Sequence, residues 1–197
     1  MSTIINQTNN NTTDKIVYSI DKNMKKLSKI FFTLTIVWMI VIFIFSSQTG
    51  DMSANLSGGI TEAVVKFLVP DFKSFSPEKQ LEILDIAHLI IRKGAHFTEY
   101  AILGIFSILT LLTHLCANNG QLIVNNLKKY FSLNIAYSFI FSMLYAISDE
   151  IHQGFTEDRY PSPFDVMIDS SGALCGILFT VLMFYLFHIK KAQKEHN

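Results

Sequence analysis

The chain has 197 residues, half of them apolar and only 16% charged, with a mean hydropathy of +0.33. A soluble domain carries about 25% charged residues, so the composition excludes an ordinary soluble domain and fits one membrane domain. The formal net charge is zero, which excludes the bulk basic field that nucleic-acid binding needs.

Residues 1–22 are rich in Asn, Thr, Ser and Gln. They lack the apolar surface to pack a core and are expected to form a disordered tail. Lys22, Lys25, Lys26 and Lys29 then lead into an apolar run from Ile30 to Phe45. The tail is long for a signal peptide and no small-x-small cleavage site follows. The run therefore reads as an uncleaved span that starts near Lys29 and ends around Ser46-Ser47-Gln48.

Between this span and the next, Ser53 to Val69 has the pattern of a short amphipathic helix. Ser76-Pro77-Glu78 is a helix start: a capping serine, proline at the first helical position and an acid in the first turn. Leu81, Leu84, Ala87, Leu89 and Ile91 follow at roughly helical spacing. Both segments are expected at the membrane surface or capping the bundle.

Further apolar runs extend from Phe97 to Cys116, Tyr130 to Ser148 and Val166 to Ile189. Each is long enough to cross roughly 30 Å of hydrocarbon. Backbone polar groups in lipid must pair internally, and long apolar runs do so as helices. The predicted fold is an all-α membrane bundle of four transmembrane helices over residues 23–191. Short amphipathic helices occupy its first loop, and a short tail covers 192–197. Cys116 and Cys175 lie in apolar runs with no CxxC, and read as small buried thiols with packing roles.

Charge sets the expected orientation. With the amino terminus in the cytoplasm, the cytoplasmic segments hold ten of the 16 Lys and Arg residues but three of the 16 acids. Both termini are then cytoplasmic. The exceptions on the outer side are Arg92 and Lys93, which abut the second span where the rule disfavours them. Nearby acids or a bound anion would hold them there.

Three distant segments converge at that outer end. Arg92-Lys93-Gly94-Ala95-His96-Phe97-Thr98-Glu99-Tyr100 enters the membrane, and Arg92, His96 and Glu99 fall at spacings of one helical face. Ser148-Asp149-Glu150-Ile151-His152-Gln153 leaves it, with Ser138, Ser142, Tyr145 and Asp149 as a polar stripe inside an apolar span. Arg159 to Asp169 re-enters, with Asp165 and Asp169 one turn apart. Gly172 and Gly176 continue that face and permit close helix packing. His88, His114, His188 and His196 lack such company and read as incidental. Ionisable groups are expensive at membrane depth and mark function there more often than elsewhere.

These segments resemble the signature of the VanZ family: Arg-Lys-Gly-Ala-His-Phe-x-Glu-Tyr, then Ser-Asp-Glu-Ile-His-Gln, then Arg-x5-Asp-x3-Asp-x2-Gly-x3-Gly. Phe45-Ser46-Ser47-Gln48 is similar to that family's end of its first helix. Order and spacing match from about residue 30 to 188. Asp169 stands where some members carry Asn. The amino-terminal tail and the Asn-rich loop at 117–126 look like additions particular to this chain. The resemblance implies a multi-pass protein of the bacterial cytoplasmic membrane, in a family whose founding member is associated with low-level resistance to the lipoglycopeptide teicoplanin. It implies no reaction.

The residues leave four readings open. The favoured one is a binding site for an anionic lipid or cell-wall precursor headgroup, or for a lipoglycopeptide. Arg92, Lys93 and Arg159 would meet phosphate, with Tyr100, Gln153, Ser47 and Gln48 beside them. The second is a lipid-phosphate hydrolase or headgroup transferase, with His96 or His152 as nucleophile or acid-base. Glu99, Asp149, Glu150, Asp165 and Asp169 would be its candidate carboxylates. The third is a divalent metal site around His96, Glu99, Glu150 and Asp165, with His152 and Asp169 as further ligands. The neighbouring basic residues oppose it, and no cofactor is predicted. The fourth is a structural ion-pair network without a ligand. Membrane lipid is the expected partner, nucleic acid is not, and the oligomeric state is left open.

Overall fold

The computed structural model describes the backbone of residues 2–48, 50–125, 127–156 and 160–195, and the side chains of 22–48, 58–117, 131–156 and 160–186. The described residues form five α-helices and no strand. These are α1 (Ser2–Ser46), α2 (Gly50–Leu68), α3 (Pro77–Asn125), α4 (Leu127–Gln153) and α5 (Pro163–Glu195), with a 3₁₀ turn at Phe72–Ser74. Four segments are long and apolar enough to cross a membrane: Lys22–Ser46, Pro77–Ala117, Phe131–Gln153 and Pro163–Leu186. The chain is a multi-pass, four-span helical membrane protein, as its hydropathy predicts.

Helix α3 is the centre of the bundle. It packs most heavily on α5 and α1, then on α4 and α2. The outward faces of the spans carry apolar side chains such as Phe32, Ile40, Ile44, Leu144, Phe179 and Leu182. In water such a surface would be an aggregation hazard; against lipid it is the solvated face. The inward faces meet at a core of Ile42, Tyr100, Leu103, Ala146 and Ala173, all fully buried. A second cluster, Ile108, Leu112 and Ile177, continues toward the other end.

The α3–α5 contact is unusually close. A Cβ added at Gly172, Gly176 or Gly104 would run into the backbone carbonyl of Phe97, Ala101 or Ala173 respectively. Small residues let helix backbones approach in lipid, where packing and not water exclusion drives association. This contact sets the spacing of the polar groups that α3 and α5 carry at one end of the bundle.

Helix boundaries depart from expectation in three places. The surface helix starting at Pro77 and the second span form one continuous helix, because no proline interrupts them and Gly94 alone costs only about 1 kcal/mol. Forty-one residues of α3 lie in its apolar segment. At about 1.5 Å per residue that is roughly twice the hydrocarbon thickness, so α3 extends past the bundle. The start itself is as predicted: Ser76 Oγ accepts the Lys79 N–H at 3.4 Å and Pro77 opens the helix. Helicity also continues through the expected loop, α3 running to Asn125 and α4 beginning at Leu127. At the amino end α1 extends back to Ser2 where composition predicts disorder, since elongating a formed helix is far easier than starting one. Cys175 is exposed on the outer face of α5, not buried as expected, while Cys116 is half-buried.

Candidate functional site

The polar residues gather where α1 and α4 end, α5 begins and α3 passes. Ser46 closes α1 and is fully buried. Its hydroxyl donates to Asp149 Oδ2 at 2.8 Å, and Gln153 Nε2 donates to the same oxygen at 3.0 Å and to Ser46 Oγ at 3.3 Å. This three-membered network ties the end of α1 to the last turns of α4. Tyr145, one turn from Asp149 along the polar stripe of α4, donates its hydroxyl to the Met39 carbonyl at 2.6 Å. Trp38 Nε1 donates to the Glu99 carbonyl at 2.8 Å and ties α1 to α3.

The start of α5 is set by Glu150, whose Oε1 accepts the Ser162 N–H at 2.6 Å just before Pro163 opens the helix. Asp165, in that first turn, pairs with the Lys93 ammonium of α3. One turn further in, Asp169 is 2% exposed and its Oδ1 has no hydrogen-bond partner among the described residues. Asp149, Glu150, Asp165 and Glu99 all lie near enough to act on it electrostatically. Asp149 Oδ1 is likewise buried without a hydrogen-bond partner among the described residues, with the Tyr100 hydroxyl as a neighbour. Burying an ionised carboxylate this way is costly.

Lys93, His96, Glu150, Gln153, Asp165, Ile168 and Asp169 line one small cleft between α3, α4 and α5. Its volume of about 10 Å³ is room for about one water-sized body. Glu99 stands behind His96, with Nδ1 and Oε2 3.9 Å apart, which is a loose contact. Tyr100 is fully buried with Asp149 and Asp169 as its charged neighbours.

The two adjacent cations of α3 are placed differently. The face that lines the cleft carries Lys93 and His96, and not Arg92. Arg92 is half-buried, outside the cleft, and makes no ion pair among the described residues. Gln48 is half-buried and also outside the cleft. Arg159 falls outside the described residues.

Ser47 and His152 form a separate, exposed pair, with Oγ and Nε2 3.0 Å apart. The His152 ring stacks on Phe43 at 4.5 Å between centroids. The Ser47 hydroxyl also lies 2.7 Å from the Phe43 carbonyl. A hydroxyl has one proton, so Ser47 donates either to the Phe43 carbonyl or to Nε2, and the imidazole tautomer decides which. Either way the pair ties α1 to α4.

No group of three or more His, Cys, Asp or Glu side chains is placed to hold a metal ion among the described residues. Of the suggested ligands, Asp165 faces Lys93 and Glu150 faces the Ser162 N–H. Sequence reasoning missed Trp38, Ser162 and Ile168. The lone tryptophan carried a signal, because an indole N–H inside an apolar span needs an acceptor.

No curated protein and no solved structure matches the chain at a significant level. A family model described as VanZ/LLP1 matches residues 31–187, from the first span to the last. The cluster built by α1, α3, α4 and α5 lies wholly inside that range, and the chain belongs to the VanZ/LLP1 family.

Proposed function

We propose that this protein binds the phosphate-bearing headgroup of a membrane lipid or lipid-linked cell-wall precursor at the polar end of its bundle. That end faces the outside of the bacterial cytoplasmic membrane, and both termini lie in the cytoplasm. The observation that carries the reading is Arg92: a cation on α3 where that helix passes the polar end of the bundle, next in sequence to the cleft-lining Lys93 and without an ion pair among the described residues. Guanidinium holds phosphate through two parallel hydrogen bonds. The orientation follows from the lysine bias toward the other end. It is checked by labelling Tyr160→Cys, in a cysteine-free background, with an impermeant maleimide on intact cells. Labelling only after permeabilisation would reverse it.

A second reading, hydrolysis or transfer at the same headgroup, draws on His96, which lines the cleft with Glu99 behind it. One experiment addresses both. Purified protein is titrated with phosphatidylglycerol while release of glycerol and glycerol phosphate is followed. Binding should weaken roughly tenfold in Arg92→Ala, the loss of a charge-assisted hydrogen bond, and both products should stay at background. Equal binding by Arg92→Ala sinks the headgroup reading, and sustained release of either product replaces it with the enzymatic one. Binding at this face would also give the protein a route to lipoglycopeptide resistance, by occupying or shielding the lipid-linked target.

A further inference from the structure

The cleft carries a charge pattern that a phosphate does not satisfy. Three carboxylates line it, Glu150, Asp165 and Asp169, against one ammonium and one imidazole. Asp165 is matched by Lys93, and one oxygen of Glu150 by the Ser162 N–H. Among the described residues nothing donates to Asp169 Oδ1, which leaves room for a donor from a ligand. Exposure marks the depth: the Lys93 and Asp165 side chains are 23% and 26% exposed and Asp169 is 2% exposed, so the pair stands at the mouth and Asp169 at the floor.

We propose that this cleft takes a primary ammonium group, carried on an aminated lipid headgroup whose phosphate meets Arg92. This rests on the headgroup reading above and specifies its substrate class. Three features select the ammonium. It brings positive charge to a site rich in carboxylates. It offers three N–H donors from a body about the size of a water molecule, which the cleft of about 10 Å³ admits. It also needs no converging ligand set, whereas a metal ion does, and none is present among the described residues. A quaternary ammonium fails on two counts, having three methyl groups and no N–H. At the mouth, an entering ammonium can replace the Lys93 partner of Asp165, which frees Lys93 toward the phosphate.

The test is titration of the detergent-solubilised full chain with dihexanoyl phosphatidylethanolamine, phosphatidylcholine and phosphatidylglycerol, and with free ethanolamine. The ethanolamine lipid should bind at least roughly tenfold more tightly than the choline lipid, the scale of charge-assisted hydrogen bonds. Asp169→Asn should erase that preference, so that the ethanolamine and choline lipids bind alike. Glu150→Gln, which keeps an acceptor for Ser162, should reduce it and serves if Asp169→Asn does not fold. Equal affinity for the ethanolamine and choline lipids overturns the ammonium site, yet leaves the headgroup reading standing if phosphatidylglycerol still binds through Arg92. Free ethanolamine binding as tightly as its lipid supports the ammonium site and removes the lipid from it. Binding of none of the four overturns both.

Discussion

Replacing Gly172 and Gly176 by alanine forces α5 away from α3. Each new Cβ would meet a backbone carbonyl, that of Phe97 or Ala101, which cannot rotate aside. Overpacking a tight interface costs about 1–3 kcal/mol per site, and here the relief is a shift of a whole helix. That shift loosens Tyr100, Leu103 and Ala173, which are fully buried in the core. It also moves Asp165 and Asp169 away from Lys93 and His96. The double variant should therefore lose both stability and lipid binding, with a clear drop in unfolding midpoint in mild detergent. Gly94→Ala is the control. It lies in the same helix as the target carbonyls with open space around it, so it should be neutral or gain up to about 1 kcal/mol from helix propensity. A double glycine variant as stable as the wild type would mean that the close approach is not what spaces the site.

Asp149→Ala should be the most damaging single change at the polar end, and Asp149→Asn should be mild. Alanine removes the acceptor shared by Ser46 and Gln153, both buried. Each polar group left unpaired costs about 1–3 kcal/mol, so the loss is a few kcal/mol in total. Asparagine keeps an oxygen for one of these donors and removes a charge from a crowded set of carboxylates. Trp38 is the only tryptophan, and its bond to the Glu99 carbonyl makes its fluorescence a monitor of the α1–α3 junction. The alanine variant should unfold at lower denaturant than the asparagine variant. Matched midpoints would show that the Ser46–Asp149–Gln153 network does not hold α1 in place.

Much of this was legible from residue order. Four apolar runs made four spans, and the polar stripe of α4 placed Ser138, Ser142, Tyr145 and Asp149 on the buried side, because a 3.6-residue period is visible in sequence. The Ser76-Pro77 helix start was readable for the same local reason. What sequence could not give was register across helices. Arg92 and Lys93 are adjacent, and a single residue rotates a side chain by about 100° around the helix axis. Which of the two faced the acids depended on how α3 seats against α5. The pairing of Asp165 with Lys93 and of Glu150 with the Ser162 N–H was hidden likewise. Those pairings give the expected anion pocket a cleft with an excess of acid, and leave Arg92 without an ion pair among the described residues.

The most direct test of the headgroup claim is native mass spectrometry of the protein gently extracted from its own membrane, wild type beside Arg92→Ala. The wild type should retain one or more phosphate-bearing amphiphiles that survive delipidation, and the variant should release them under the same conditions. Identical bound lipids on both proteins, or none on the wild type, would contradict a headgroup site at this end of the bundle.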